Sequence, residues 1–131
     1  MVILDTTFII HLLRGNQKAA NKSKVLPVPS YTTRLNVFEV LIGVYSKNQF
    51  ESSRALAILN DLLSSIKVLE LDDKSAHLAA KLAAELNKNG QMVATSDILI
   101  AAIALANGQD TIVTQNVKHF SRVPGLKVEN Y

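Results

Sequence analysis

The chain has 131 residues, of which 48% are hydrophobic and 19% charged, a balance typical of a packed core rather than of a disordered segment. It contains no cysteine, which excludes disulfides, thiolate catalysis and cysteine-ligated zinc and is compatible with a reducing compartment. The formal net charge is +3 with scattered basic residues, so charge permits an anionic partner but does not identify one.

Length and hydropathy predict one domain without a membrane anchor. A chain of this size usually forms a single domain, which we expect over residues 1–131. No apolar run approaches the ~20 residues of a membrane span, and the longest, Ile98 to Leu105, is far shorter. The opening segment has no basic stretch ahead of an apolar run, so we expect no signal peptide and a cytoplasmic location.

The first part of the chain predicts strand–helix alternation. Val2 to Leu4 is a short apolar run of the kind that forms a buried strand. A helix is predicted over about 7–14, because Gly15 lies where helix C-termini favour glycine. Two further elements follow: a short helix over about 16–24 and a strand over Ser30–Arg34.

The middle of the chain is predominantly helical in pattern. Asn36 opens an amphipathic helix whose predicted buried face carries Phe38, Leu41, Ile42 and Tyr45, at the spacing of one helix face. Three elements follow: a helix over about 51–66, a strand over Val68–Leu71, and a helix that begins at Asp72 or Asp73 and ends at Asn89.

The last part of the chain continues the alternation. The predicted elements are a helix over about 97–107 capped by Thr95 or Ser96, a strand over Thr111–Thr114, a short helix over Asn116–Ser121 and an edge strand over Lys127–Glu129. Strands that are separated by helices form parallel βαβ units. We therefore predict a three-layer α/β/α sandwich with a small central parallel sheet.

Three of the 11 acidic residues lie in apolar surroundings: Asp5, Glu39 and Asp97. Taken singly, Asp5 could cap a helix, Glu39 could reach solvent and Asp97 could be an ordinary first-turn acid. An ionised carboxylate in an apolar setting is costly unless it is paired or coordinated. Because basic residues are scarce in these segments, a shared cation explains all three acids together.

Position and chemistry indicate which cation this is. Asp5 follows the first strand, at the edge where open parallel sheets form ligand sites, and Asp97 lies at a helix N-terminus. Carboxylate oxygens suit Mg²⁺ or Mn²⁺ better than zinc. Such a site can bind a phosphodiester and orient a water. Ser96 is interpreted as a cap or as a hydrogen-bond donor that supports the acids, and His11 and His77 as structural.

With these residues identified, the sequence resembles the PIN-domain family, specifically its VapC-type toxin ribonucleases, over nearly the whole chain. Four segments carry the resemblance in order: Ile3 to Gly15, Asn36 to Gly43, Ser96 to Ala102 and Val113 to Leu126. It implies a Mg²⁺- or Mn²⁺-dependent endoribonuclease with Asp5, Glu39 and Asp97 as its metal-binding and catalytic residues. It also implies an RNA substrate, inhibition by a cognate antitoxin in a type II toxin–antitoxin pair, and a homodimer.

The chain departs from the family pattern near its C-terminal signature. Many relatives have a fourth acid just before the Phe, whereas this chain has His119 there and Asn116 three positions earlier. Asn116 can offer an oxygen to a metal or its water, and His119 can contact phosphate when protonated or be a surface residue. A second metal should therefore bind weakly or only with RNA present. Thr6, Ser96 and Thr114 are further candidates for supporting or phosphate contacts.

Two other readings compete with the nuclease. A receiver-like phosphoacceptor domain has a similar size and fold class, but it needs an acid pair after the first strand, where this chain has one acid. A non-catalytic PIN-like module that binds RNA or protein without cutting remains open because the fourth acid is missing.

Overall fold

A five-stranded parallel sheet forms the centre of the computed structural model, which describes residues 1–131. The strands are β1 (Ile3–Leu4), β2 (Ser30–Thr33), β3 (Ile66–Leu69), β4 (Thr111–Val113) and β5 (Lys127–Glu129). Their order across the sheet is β3-β2-β1-β4-β5, and every neighbouring pair is parallel. The predicted parallel sheet is confirmed.

Seven helices connect and cover the strands. They are α1 (Thr6–Leu13), α2 (Gln17–Ser23), α3 (Arg34–Tyr45), α4 (Gln49–Leu63), α5 (Asp73–Lys88), α6 (Thr95–Ala106) and α7 (Val117–Phe120). None of these helices combines the length and the apolar content needed to cross a lipid bilayer.

Two buried clusters, one on each face of the sheet, give the fold its three layers. Successive strand residues point to opposite faces. In β1, Ile3 therefore packs with α5 and α6, while Val2 and Leu4, on either side of it, pack with α1, α3 and α4. The predicted α/β/α sandwich is confirmed, with β1 in the middle of the core.

The strand order places a ligand-binding edge beside β1. From β1 the chain adds β2 and then β3 on one side, and it then crosses over to add β4 and β5 on the other. The order of strands reverses between β1 and β4, and in open parallel sheets the crevice at the carboxyl ends of such strands is where ligands bind. Asp5 and Thr114, which follow these two strands directly, lie at this edge.

The buried face of α3 differs from the predicted one. Val37, Val40 and Val44 are buried, whereas Phe38 and Ile42, of the predicted face, are 59% and 54% exposed. Tyr45 is also exposed, and Leu41 is partly buried. The helix carries two adjacent apolar stripes, and its packing against α1 and α4 selects the valine stripe.

Several boundaries also differ from those predicted. The third strand begins at Ile66 rather than Val68, because Ile66 to Leu69 pairs along the whole of β2, and α4 consequently ends earlier, at Leu63. Helix α6 begins at Thr95, so neither Thr95 nor Ser96 caps it; the N-cap is Ala94, which makes no side-chain cap. Asn36 is the third residue of α3, whose N-cap is Thr33.

Candidate active site

Asp5 is the buried centre of the site, with 5% of its surface exposed. Its backbone N–H donates to the carbonyl of Val113 at 3.1 Å, which fixes it beside β4. The hydroxyl of Thr114 donates to Oδ2 of Asp5 at 2.6 Å, and the amide Nδ2 of Asn36 donates to Oδ1 at 2.9 Å. Both carboxylate oxygens thus accept hydrogen bonds from neutral side chains.

The pKa of Asp5 is raised above its ordinary value of 3.8, and burial is the largest cause. Hydrogen bonds from the Thr114 side chain and the Thr6 backbone lower the pKa and partly offset this effect. The negative charges of Asp97 and Glu39 raise it further. Asp97 and Glu39 therefore lie close enough to Asp5 for their charges to act on its carboxylate at this edge of the sheet.

Glu39 reaches this edge from the second turn of α3. Its Oε1 accepts a 2.6 Å hydrogen bond from the hydroxyl of Thr6, the first residue of α1. Glu39 is half-buried, and its Oε2 accepts no hydrogen bond. A supporting role for Thr6 was predicted, and the structure places its hydroxyl on Glu39.

Asp97 lies in the first turn of α6, where the helix dipole favours a negative charge. Its Oδ2 accepts a 3.2 Å hydrogen bond from Nδ2 of Asn116, and Nδ1 of His119 lies 3.4 Å from the same oxygen. The Asp97 side chain is 14% exposed and that of His119 is 43% exposed. The structure therefore brings Asn116 and His119, the two residues at the point where the chain differs from the family pattern, to Asp97.

Cationic side chains contribute little to this site. The lysine and arginine ion pairs involve other acids, namely Glu129, Glu70 and Asp110. His119 is the one basic side chain that pairs with Asp5, Glu39 or Asp97. The negative charge of the cluster is thus met mainly by neutral hydroxyl and amide donors.

The predicted residues gather at one edge but do not form a closed metal cage. The side chains of Thr6, Thr114, Asn116 and His119 each hydrogen-bond to one of the acids, whereas the side chain of Ser96 makes no hydrogen bond. No three acidic or histidine side chains are arranged so that they could hold one metal ion among them. Metal ligation by Asp5, Glu39 and Asp97 stays a prediction.

Asn36 is a member of the site that sequence reasoning did not identify. Its side chain is fully buried and donates to both Asp5 and Thr6. The available signal was its place three residues after Thr33, which marks it as part of a capping box. Nothing in that pattern shows that its amide faces a carboxylate from the first strand.

His11 has a structural contact, in agreement with the prediction. Its Nδ1 lies 2.6 Å from the hydroxyl of Tyr131, whose ring also packs edge-on against Phe8. Burial is the largest cause of the raised pKa of Tyr131, and the charge of Asp5 adds to it. The pair thus ties α1 to the segment that follows β5, beside the acidic site.

Comparison with known proteins shows which family this chain is similar to. The family model described as PIN domain matches residues 2–126. The chain is 32% identical over 128 residues to ribonuclease VapC1 of Rickettsia felis, a match that covers 97% of this chain and 93% of that protein. It is 34% identical over 97 residues to a tRNA(fMet)-specific endonuclease VapC of Shigella flexneri, with 74% of this chain and 71% of that protein covered.

A solved structure shows the same architecture. It is VapBC-5 of Mycobacterium tuberculosis, described as a member of the VapBC family of toxin–antitoxin systems, and it superimposes with a TM-score of 0.72 at 26% identity. The superposition covers 98% of this chain and 94% of that chain. With the family model matching nearly its whole length, the chain belongs to the PIN-domain family.

Proposed function

We propose that residues 1–131 form one nuclease domain that cleaves RNA with Mg²⁺ or Mn²⁺ and acts as the toxin of a toxin–antitoxin pair. The observation that carries the proposal is the convergence of Asp5, Glu39 and Asp97 from three distant segments at the switch point of the sheet. The names of the VapC relatives support ribonuclease activity.

The donor set suits a hard divalent cation. All three acids offer oxygen, and Oδ1 of Asp97 and Oε2 of Glu39 accept no hydrogen bond within the protein. Burial of Asp5 beside two other negative charges is a cost that a divalent cation would offset. When bound, such an ion supplies Lewis-acid polarisation of a phosphodiester and a more acidic water.

The side chains of this protein orient the acids and meet the substrate. Thr114 and Thr6 hold Asp5 and Glu39 in fixed orientations through 2.6 Å hydrogen bonds, as partners outside the ligand set of a metal do. His119 is exposed enough to contact an RNA phosphate, and protonation beside Asp97 would let it donate a charged hydrogen bond. Asn116 keeps Asp97 and His119 together.

Incubation with a panel of RNAs tests the activity. The panel includes transfer RNAs, because one relative is named as a tRNA(fMet)-specific endonuclease. We expect discrete cleavage products with Mn²⁺ and none with EDTA. Cleavage that persists in EDTA, or no cleavage of any RNA with metal, would contradict the proposal.

A groove between α1, α3 and α4 supports an antitoxin partner. Its apolar lining includes Ile10, Leu13, Val40, Val44 and Ile58. Its charged residues are three bases, Arg14, Lys47 and Arg54, and one acid, Glu51, so the lining is basic on balance. An antitoxin segment with apolar anchors and acidic residues would complement it. Expression in bacteria should arrest growth, and co-expression with the cognate antitoxin should relieve the arrest.

The exposed stripe of α3 supports a homodimer. Phe38, Ile42 and Tyr45 lie on one face of the helix and are 54% to 65% exposed. Exposed apolar stripes of this kind mark protein–protein contacts. We propose that a second copy of the chain covers them.

The position of His119 favours one alternative function. This chain has a histidine against Asp97 at the position where many members of the family are expected to have a fourth acid, so the site carries less negative charge. A PIN-like module that binds RNA without cutting would show RNA binding in EDTA and in Mn²⁺ alike, with no products in either.

A further inference from the structure

Asn36 donates hydrogen bonds both to Asp5 and to Thr6, the hydrogen-bond partner of Glu39, and no other side chain donates to both. Its side chain is fully buried, and its Nδ2 donates to Oδ1 of Asp5 at 2.9 Å and to the hydroxyl of Thr6 at 3.0 Å. We propose that Asn36 is a positioning residue for the divalent-metal site, an inference that rests on the proposed function. It sets the orientation of Asp5 directly and that of Glu39 through Thr6.

The orientation of the Asn36 amide is fixed by the protein backbone. Oδ1 of Asn36 accepts from the backbone N–H of Thr33 at 3.2 Å and from the Thr33 hydroxyl at 2.7 Å. A backbone N–H can only donate, so the atom that faces Thr33 must be the amide oxygen. The amide nitrogen therefore faces Asp5 and Thr6, and both of its hydrogens have acceptors.

This orientation determines the direction of the next hydrogen bond. Because the Thr6 hydroxyl accepts from Asn36, its own hydrogen is free to point to Glu39, whose Oε1 lies 2.6 Å away. Oε1 of Glu39 is thus held as an acceptor, while Oε2 carries no hydrogen bond. A single buried amide therefore organises carboxylates 34 positions apart, Asp5 and Glu39, for a common ligand.

Helix capping alone does not require an asparagine here. Helix α5 has the same capping box, in which Asp72 is the N-cap and a buried Ser75 bonds back to its backbone N–H. Ser75 occupies the same third helical position as Asn36 and contacts none of the site acids. The additional length and the amide nitrogen of Asn36 serve the contacts to Asp5 and Thr6.

Three variants separate positioning from capping. Asn36→Ser keeps a hydroxyl for the capping box but removes the amide that reaches Asp5. Thr6→Val keeps the branched shape of the side chain and removes the hydroxyl that donates to Glu39. It provides the test of positioning if Asn36→Ser does not fold. Ser75→Ala is the matched control, because it weakens an equivalent box away from the acids.

The probe is Mn²⁺ alone, titrated into metal-free full-length protein by calorimetry, with thermal unfolding measured alongside. Partners outside the ligand set typically contribute ~10–100-fold to metal affinity. We expect Asn36→Ser to raise the Mn²⁺ dissociation constant about 10-fold or more, and Thr6→Val to raise it less. Ser75→Ala should lower the melting temperature and leave the dissociation constant unchanged. In RNA cleavage, Asn36→Ser should lower kcat with little change in KM.

The outcomes distinguish this inference from the proposed function. If the wild type binds Mn²⁺ and the folded Asn36→Ser and Thr6→Val variants bind it with the same affinity, the positioning role is overturned. The proposed nuclease function is not affected by that result. Equal weakening by Ser75→Ala would also overturn it, since the effect would then come from stability. A wild type that binds no Mn²⁺ would overturn the proposed function itself, and this inference with it.

Discussion

The hydroxyl of Thr114 donates a 2.6 Å hydrogen bond to Oδ2 of Asp5, although 109 positions separate the two residues. The contact exists because β1 and β4 are neighbours where the strand order reverses. Thr114 also accepts the backbone N–H of Asn116 at 2.9 Å, so its own hydrogen is directed at Asp5. The segment that carries Asn116 and His119 is thereby tied to the first strand.

Replacement of Asp97 by asparagine should separate catalysis from stability. Asparagine can still present an oxygen to Asn116 and His119, but it carries no charge for a cation. We expect Asp97→Asn to lower Mn²⁺-dependent RNA cleavage by more than roughly 100-fold, beyond the effect of a typical supporting partner. The metal-free melting temperature should stay the same or rise, because repulsion among the acids is relieved.

Asp73→Asn is the control for this experiment. Asp73 is the first-turn acid of α5, as Asp97 is of α6, but its side chain is 96% exposed and pairs only with His77. Full activity is expected in this variant. Retained cleavage by Asp97→Asn would remove the basis of the assignment.

The raised pKa of Asp5 predicts a pH-dependent cost in the metal-free protein. Above its ordinary value of 3.8, the unfolded chain has released a proton that the folded protein still holds on Asp5. The free energy of unfolding therefore falls as pH rises from 3.8 through the raised folded pKa. Asp5→Asn removes this dependence. The melting temperature of the variant in EDTA, relative to that of the wild type, should therefore rise as pH increases. A difference that stays constant with pH would show that ionisation of Asp5 costs nothing.

Restoring an acid at position 119 should strengthen a second metal site. His119 lies 3.4 Å from Asp97, so an aspartate there would add a carboxylate beside it. Paired metal sites need enough negative charge to hold two ions ~3.5–4 Å apart. We expect His119→Asp to bind one more Mn²⁺ per chain than the wild type in the absence of RNA, counted by equilibrium dialysis.

His77→Asp is the matched control for the second-metal experiment. His77 lies 3.5 Å from Asp73 on the exposed face of α5, in an ion pair like that of His119 with Asp97. It should leave the Mn²⁺ count unchanged. If His119→Asp also binds the same number of Mn²⁺ ions as the wild type, the lack of an acid at position 119 is not what limits binding of a second ion.

The exposed stripe of α3 predicts the oligomeric state. Ile42 is 54% exposed at the centre of the stripe, so a charge there should not disturb the fold but should oppose burial against a second copy. We expect light scattering to give about twice the chain mass of 14.3 kDa for the wild type and the chain mass for Ile42→Asp. Phe50→Asp, at an exposed position of α4 outside the stripe, should remain dimeric. A monomeric wild type would contradict the proposal.

The features of the fold and site that depend on the local sequence pattern could be predicted from the sequence. From hydrophobic runs and turn residues, the ends of every strand could be predicted to within two residues. The apolar neighbours of Asp5, Glu39 and Asp97 marked these acids as candidate site residues. The buried face of α3 was not predictable, because valine and aromatic stripes both have helical spacing and only packing on α1 and α4 selects one. The role of Asn36 depends on contacts across 31 positions, which local pattern does not show.

Titration of metal-free protein with Mn²⁺, followed by its melting temperature, tests the central claim most directly. Binding to the folded state alone stabilises it by about 2.7 kcal/mol at a concentration 100 times the dissociation constant. We predict a progressive rise in melting temperature for the wild type and none for a variant that combines Asp5→Asn, Glu39→Gln and Asp97→Asn. An equal rise in both proteins, or no rise in the wild type at millimolar Mn²⁺, would contradict a metal site formed by these three carboxylates.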